Sequence, residues 1–420
     1  MDTVTPPVDY EDLIKEDRVH GSLYTDTAVF EDELERIWYR GWVYVGHESE
    51  IRQPGDYCTK KIGLQEIIMA RDEDGEIHLL HNRCSHRGNK VAASERGNAN
   101  FFRCPYHGWT FKNSGELTGA PYRSGYDESF RKQDHGLGRV SRVASYREFV
   151  FGSLSEQGMD LREHLGEKGM EAIDGLLALS PEDDIELTAG WLKHRVRANW
   201  KMLVENEVDG YHPKFVHQSL FKVSSSQITD VASDKASSVV RDLGRGHTEL
   251  DFRPEYRQMG KRLAWCGARE DSLPDYVSAM EEWHGKERAH ELLVDGPPHV
   301  MIFPNLFIAE TDVFVIEPHS AGETVQYQTP VFFKGAPDLN WRLLRQAEAT
   351  IGPAGLLLAD DAEMFERNQR GVQEKSPEWL VLRRGLERER TEDGCTIGNL
   401  TDETGQRAIW HHYKELMTRD

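Results

Sequence analysis

At 420 residues, with 51 basic against 72 acidic residues and a formal net charge of −21, the chain is long enough for two or three domains. That acidity, without a Lys/Arg block, excludes nucleic acid as a partner. No apolar run approaches the roughly twenty residues of a membrane span, and Met1 to Tyr10 is acidic and Pro-containing, unlike a signal peptide, so no membrane association and a cytoplasmic location are expected.

The first apolar positions at helical spacing are Val29, Phe30, Leu34, Ile37 and Trp38, followed by a β-like run from Trp42 to Val45. An N-terminal helical segment (1–40) ahead of an all-β module (41–156) is expected. Within that module Ile67-Ile68-Met69 and Ile77-His78-Leu79-Leu80 flank the turn Asp72-Glu-Asp-Gly75, a hairpin signature. A second turn, Lys112 to Gly115, follows Trp109-Thr-Phe111, and Phe149 to Phe151 reads as a closing strand.

Between these elements lie Cys84-Ser-His86 and, after seventeen intervening residues, Cys104-Pro-Tyr-His107. Each loop offers one thiolate and one imidazole, the ligand set of a Rieske [2Fe–2S] centre, in which two histidines replace cysteines on one iron and raise the potential. A structural zinc site also takes two Cys and two His, but zinc fingers group Cys with Cys and His with His. The loops are expected at the tips of β-hairpins, with the amides of Gly88 and Gly108 donating toward the sulfurs. The remaining cysteines, Cys58, Cys266 and Cys395, have no pairing pattern, as in a reducing compartment.

A polar, helix-prone stretch from Ser153 to Asp184, broken at Ser180-Pro181, marks a boundary, and 157–420 is expected to be one α+β domain. Its helices are predicted at 199–211, 276–293, 340–350 and 354–371, and its antiparallel strands at 300–309, 312–317 and 326–333. The segment Asn199 to His217 holds the densest chemistry: His212 and His217 are five apart, which on one helix would set them roughly 140° around the axis. Pro213 should end or kink the helix at His212 and let His217 swing back. Asp209, three residues before His212, is placed on the same helical face to hydrogen-bond the ring nitrogen turned away from a metal. Two histidines and one carboxylate form the facial triad of non-haem Fe(II) oxygenases. The third ligand is sought in Ile351-Gly-Pro-Ala-Gly355-Leu-Leu-Leu-Ala-Asp360-Asp361, where Pro353 suits a helix start and either Asp360 or Asp361 could serve.

With these two motifs, and with Asn199-Trp200-Lys201, Phe303-Pro304-Asn305 and the Gly-Pro-Ala-Gly segment, the chain from about residue 25 onward resembles the large (α) subunit of Rieske non-haem iron aromatic-ring-hydroxylating dioxygenases. It differs from respiratory-complex Rieske proteins, since positions 87–90 and 108–111 lack the extra loop cysteines. The resemblance implies that Cys84, His86, Cys104 and His107 hold the [2Fe–2S] cluster and that His212, His217 and Asp361 hold a mononuclear Fe(II). It further implies an α3 trimer arranged head to tail, in which Asp209 bridges His212 to a cluster histidine, His86 or His107, of the next subunit.

The implied activity is that of a terminal oxygenase. An NAD(P)H-dependent reductase, with or without a ferredoxin, supplies electrons, and both atoms of O₂ add to an aromatic ring to give a cis-dihydrodiol. Monooxygenation or demethylation by the same sites is the alternative. A small β subunit (α3β3) is a further possible partner, and the chain's acidity would repel an acidic ferredoxin at long range. By position His299, Met301, Ala309, Ile351 and Leu357 are candidates to line the substrate pocket, and Phe314 to Glu317 offers no arginine for a carboxylate. Two other classes compete: an electron-transfer Rieske protein, which would need only the first 155 residues or so, and a scaffold with a dead iron site, which the full set of candidate ligands disfavours.

Overall fold

The computed structural model of the chain describes residues 8–223, 235–309 and 311–419. They form two compact units: Trp38–Leu161, and a second in which the residues up to Ile37 join those from Arg162 onward. The first unit is all-β. One sheet orders Arg142–Tyr146, Phe149–Ser153 and Val43–His47; a second orders Ile77–His81, Gln65–Arg71, Asp56–Ile62 and Arg96–Asn98; a third orders Leu117–Gly119, Thr110–Lys112 and Phe101–Arg103. Apolar side chains of the second and third sheets, among them Ile68, Leu80, Phe102, Phe111 and Leu117, close on a core that includes Cys84, Cys104 and Trp109.

The second unit is built on a nine-stranded antiparallel sheet. Its order is Leu192–Val196, Glu323–Pro330, Asp312–Ser320, Leu306–Ala309, Val300–Ile302, His247–Asp251, Val239–Gly244, Cys395–Asn399 and Arg390–Glu392. The expected strand 300–309 is therefore two strands, turned at Phe303-Pro304-Asn305 and paired with one another. The expected helix 276–293 is likewise two, Pro274–His284 and Lys286–Asp295, separated by Gly285 at φ 78°.

Inside this unit a buried polar knot ties an early helix, Thr27–Glu33, to the last, Thr404–Thr418. Glu33, at the end of helix Thr27–Glu33, accepts hydrogen bonds from Trp200 Nε1 (2.7 Å) and Tyr413 Oη (2.7 Å) and pairs with Lys201 Nζ. Lys201 is almost wholly buried yet lies over the rings of Trp200, Tyr24 and Tyr413, so its charge is met by one carboxylate and three π faces. Trp200, Trp410 and Tyr413 each bury a large apolar surface in the same place, on the order of 2–3 kcal/mol apiece. Asn199 starts helix Trp200–Glu207 by accepting from the Lys201 amide (3.1 Å), and the helix thus enters the site from a fixed anchor.

Candidate metal centres

The two cysteine loops of the first unit share one backbone plan. The amide of Cys84 donates to Asn89 O and that of Cys104 to Trp109 O, each at 2.8 Å, while the amides of Gly88 and Gly108 turn back to the carbonyls of Cys84 and Cys104. Both glycines have positive φ, 73° and 71°, which a side chain would strain. Their amides are therefore committed to the loop itself, contrary to the expectation that they donate to sulfur. For Cys84, the amides of His86 and Arg87 take that part.

A second correction concerns placement. The Cys104 loop does cap a hairpin, between Phe101–Arg103 and Thr110–Lys112. The Cys84 loop instead leaves the edge strand Ile77–His81 and leads to Arg96–Asn98 at the opposite edge of its sheet. Both cysteines are buried and neither forms a disulfide. Trp109 stacks on His86 at 4.9 Å and 8°, and the His86 and His107 rings lie 4.7 Å apart. Burial raises the Cys84 thiol pKa, and His86 Nδ1 is buried with no hydrogen-bond partner. Two buried cysteines and an unsatisfied ring nitrogen side by side fit a group that takes thiolates and imidazoles together.

In the second unit helix Trp200–Glu207 ends at Glu207, short of the expected 211, and Asp209 is not helical. Its Oδ1 instead accepts from the amides of Tyr211 (2.6 Å) and His212 (3.2 Å), a side-chain-closed turn. Gly210 is required there because a Cβ would sit 2.4 Å from Leu400 O. His212 itself has helical φ/ψ, and Pro213 opens a new short helix, Pro213–Val216, rather than kinking an old one. The turn, not the proline, separates the two histidines from the first helix. Similarly, helix Leu358–Gly371 begins five residues after Pro353, with Asp360 and Asp361 in its first turn, where the helix dipole favours carboxylates.

These local geometries bring His212, His217 and Asp361 together. Nε2 of His212 and of His217 lie 3.6 and 3.3 Å from Asp361 Oδ1, and one donor atom from each of the three falls within 4.8 Å of the others. Donors about 2.1 Å from a shared ion stand about 3–4 Å from one another, so the spacing fits a single metal. Asp361 Oδ1 is buried without a hydrogen-bond partner, although the carboxylate takes a bond from Asn206. Burial pushes Asp361 up to about 7 and His217 down to about 4; a cation takes the imidazole neutral, as His217 already is, and would draw the proton from Asp361. Asp209 Oδ2 stands 3.7 Å from His212 Nδ1; burial opposes the charged imidazole most strongly, but Asp209 and Asp361 together outweigh it and raise the His212 pKa. Asp360 turns outward: its side chain is 38% exposed against 3% for Asp361, and it accepts from Ser219 Oγ at 3.1 Å.

One face of the nine-stranded sheet looks toward this cluster. Cross-strand register puts Met301, Phe307, Phe314 and Gln328 in one row, Ala309 and Asp312 in the next, and Ile316 and Gln326 in a third. The end of helix Trp200–Glu207 caps that face, since Gln326 Nε2 donates to Glu207 Oε1 (2.6 Å) and His299 Nε2 bonds Glu207 O (3.1 Å). Of the five expected pocket residues, Met301 and Ala309 lie on this face, and the His299 ring contacts Phe307 at 4.9 Å. Ile351 is buried beside Gly352, itself near Gln328, and Leu357 O accepts the Asp361 amide. Glu207, Gln326 and Asn206 were missed by sequence reasoning; a carboxylate between Asn206 and Asp209, and two glutamines at alternate positions of one strand, were the available signals.

A unit with paired Cys/His loops, joined to one with two histidines and a carboxylate, defines a Rieske-type oxygenase. Residues 41–146 match the Rieske [2Fe-2S] domain and residues 184–418 the catalytic domain of the ring-hydroxylating alpha subunit. The chain is 31% identical to a toluate 1,2-dioxygenase subunit alpha of Pseudomonas putida, over 87% of this chain and 82% of that one. Among solved structures, a naphthalene 1,2-dioxygenase variant bound to phenanthrene superposes with a TM-score of 0.82 at 26% identity, covering 98% of this chain and 96% of the other. A quaternary ammonium Rieske monooxygenase in complex with L-carnitine shares the fold, with a TM-score of 0.70 at 20% identity over 99% and 100% of the two chains. The chain belongs to the family of ring-hydroxylating oxygenase α subunits, oxidoreductases with a Rieske [2Fe–2S] domain and a catalytic iron domain. Among the described residues no helix is long and apolar enough to cross a membrane.

Proposed function

We propose that this chain is the terminal oxygenase component of a multicomponent system that cis-dihydroxylates an aromatic compound with O₂ and electrons from NAD(P)H, in the cytoplasm. The observation that carries the reading is the convergence of half-buried His212 with buried His217 and Asp361, three donors with matched spacing, on a chain that also holds both cysteine loops. Cys84, His86, Cys104 and His107 would hold the cluster and His212, His217 and Asp361 the mononuclear iron. When bound, these groups supply single-electron transfer and O₂ activation respectively.

The chain's own side chains do the remainder. Trp109 covers one face of His86 and shields the cluster edge from water. Asp209 accepts two amides that fix its carboxylate, and its Oδ2 charge faces His212 Nδ1 from 3.7 Å, beyond hydrogen-bond distance. Asn206 holds Asp361 in place. Phe307, Phe314 and Met301 offer the sheet wall against which a planar ring can lie, and their burial excludes water from its face.

The exposed rings of Tyr106 and Tyr122, with Pro105 and Pro121, line an open depression around His86 and His107. This is the surface on which the next α subunit would dock in a head-to-tail α3 trimer, bringing Asp209 of that subunit to a cluster histidine. A β subunit, a reductase and a ferredoxin are the further partners. Monooxygenation or demethylation is a second reading, favoured by the shared fold with the quaternary ammonium monooxygenase. The deciding experiment reconstitutes the full chain anaerobically, measures iron and acid-labile sulfide, and then supplies a surrogate reductase and ¹⁸O₂. One [2Fe–2S] cluster plus one further iron per chain, with two labelled oxygens in a diol, is expected. A single labelled oxygen would replace dihydroxylation by monooxygenation, and absence of the further iron would overturn the oxygenase assignment.

A further inference from the structure

The turn that carries Asp209 is held from outside by a part of the chain that supplies no metal donor. Asp209 Oδ1 accepts the amides of Tyr211 and His212, so the orientation of its carboxylate is set by where those two residues sit. His212 belongs to the donor set, whereas Tyr211 does not, and its ring is 43% exposed and buries too little surface to be placed by packing alone. That ring is gripped on two sides instead. The Arg384 guanidinium lies 4.2 Å from its centroid, and the Phe215 ring meets it at 5.6 Å and 81°.

Arg384 is itself immobilised before it reaches the ring. Its amide donates to Glu403 Oε2 (2.7 Å), and the Glu403 amide donates back to Arg384 O (3.0 Å). Its Nε and Nη2 donate to Thr401 O (2.6 Å) and Thr401 Oγ1 (3.1 Å). The same segment, 400–403, presents the Leu400 carbonyl to Gly210, so Gly210 and Tyr211 rest on one platform with Arg384 standing on it. Among the described residues the Arg384 guanidinium makes no ion pair, although the chain has an excess of carboxylates; its side chain is committed to Thr401 and to the ring. A cation over an exposed ring adds little to stability. What this one supplies is placement, because a planar guanidinium held by its fork defines a plane that a flexible ammonium does not.

From this geometry, and resting on the reading above in which Asp209 links His212 to the cluster of the next subunit, we infer that Arg384 is a positioning residue for electron transfer between subunits. By clamping the Tyr211 ring it keeps the Tyr211 amide on Asp209 and so fixes the carboxylate that bridges the two sites. The step concerned moves one electron from the reduced cluster to ferric iron, and neither Arg384 nor Tyr211 changes redox state.

The test loads the full chain with cluster and iron, oxidises both with ferricyanide, reduces the cluster by a photochemical pulse and follows its visible band as the electron moves on. It needs neither substrate nor reductase. Arg384→Gln and Tyr211→Leu should each slow transfer about tenfold, and the double variant no further, since both remove one clamp. Tyr211→Phe keeps the ring face and should rescue the rate lost in Tyr211→Leu, whereas Arg384→Lys should not rescue that lost in Arg384→Gln. In loaded and metal-free protein alike, the Tyr211 amide should exchange with solvent about tenfold faster in the two slow variants. Slowing that appears only together with a lowered denaturant midpoint or a dissociated trimer would reduce Arg384 to a structural residue and overturn the proposal.

Asp209→Asn separates the clamp from the reading it rests on. Slow transfer in Asp209→Asn with wild-type rates in Arg384→Gln and Tyr211→Leu would overturn the clamp and leave the bridge standing. A wild-type rate in Asp209→Asn would remove the bridge and the clamp with it. If Arg384→Gln does not fold, Tyr211→Leu, at an exposed position, and its rescue by Tyr211→Phe decide.

Discussion

The two metal-binding units solve one problem in opposite ways. The cluster unit places its donors by backbone plan: each loop closes on itself through the same pair of amide bonds and the same positive-φ glycine, within six residues of sequence. The catalytic unit places its donors by tertiary anchoring. His212 and His217 follow a turn closed by Asp209, Asp361 comes from a helix well over a hundred residues later, and the helix leading into the turn is held by Glu33 near the amino terminus. A site made by local closure tolerates change elsewhere in the chain. One made by anchoring inherits every weakness of its anchors.

That contrast can be broken most sharply at the donors. Asp361→Ala should reduce turnover below detection while the cluster's visible spectrum persists, and Cys104→Ser should bleach the spectrum without altering the chemical environment of His212 and His217, read by histidine-resolved NMR. Either variant disturbing both sites would mean that the units are not separately built. Asp209→Ala comes next: turnover should fall about a hundredfold or more while chemical reduction of the cluster stays complete, and retained turnover would remove the bridging role.

Third in size is the anchor. Lys201→Met leaves Glu33 buried without its counter-charge and should lower stability by about 3–5 kcal/mol, read as an earlier denaturant transition by the catalytic unit alone. A simultaneous loss of the Rieske spectrum would count against independent anchoring. The smallest effect is acid sensitivity. His247, buried against His164 O and held by the Phe303 amide, has its pKa lowered to about 4 by burial. The unfolded chain binds a proton there near pH 6.5 and the folded one does not, so stability is full above that pH and falls as pH drops toward 4, by on the order of 3 kcal/mol. His247→Asn should flatten that slope in a pH series of denaturant melts.

The same contrast explains what could be read from sequence. Cys84, His86, Cys104 and His107 stand out because a locally closed site writes its whole plan into a short segment. Of the nine-stranded sheet only the strands within 300–309, 312–317 and 326–333 were legible, and the five strands at 192–196, 239–244, 247–251, 390–392 and 395–399 were not, while the Asp360/Asp361 segment was legible in outline. Gly210 is glycine because of Leu400, a contact that no window around residue 210 contains. Gly285 splitting a helix and Asn305 turning a strand were misread because apolar periodicity continues across both. Glu207 was passed over as one more charge in an acidic chain, since its meaning lies in Gln326 and His299.

The division at Ile37 and Leu161 bears on vectorial synthesis. The cluster-bearing unit is one uninterrupted stretch and emerges whole from the ribosome, able to close its sheets while most of the chain is still unmade. Its host cannot do so: Glu33 waits for Tyr413, and strand Arg18–His20 pairs with Trp379–Val381. The nascent protein therefore passes through a stage in which the Rieske domain is complete and the catalytic domain is not.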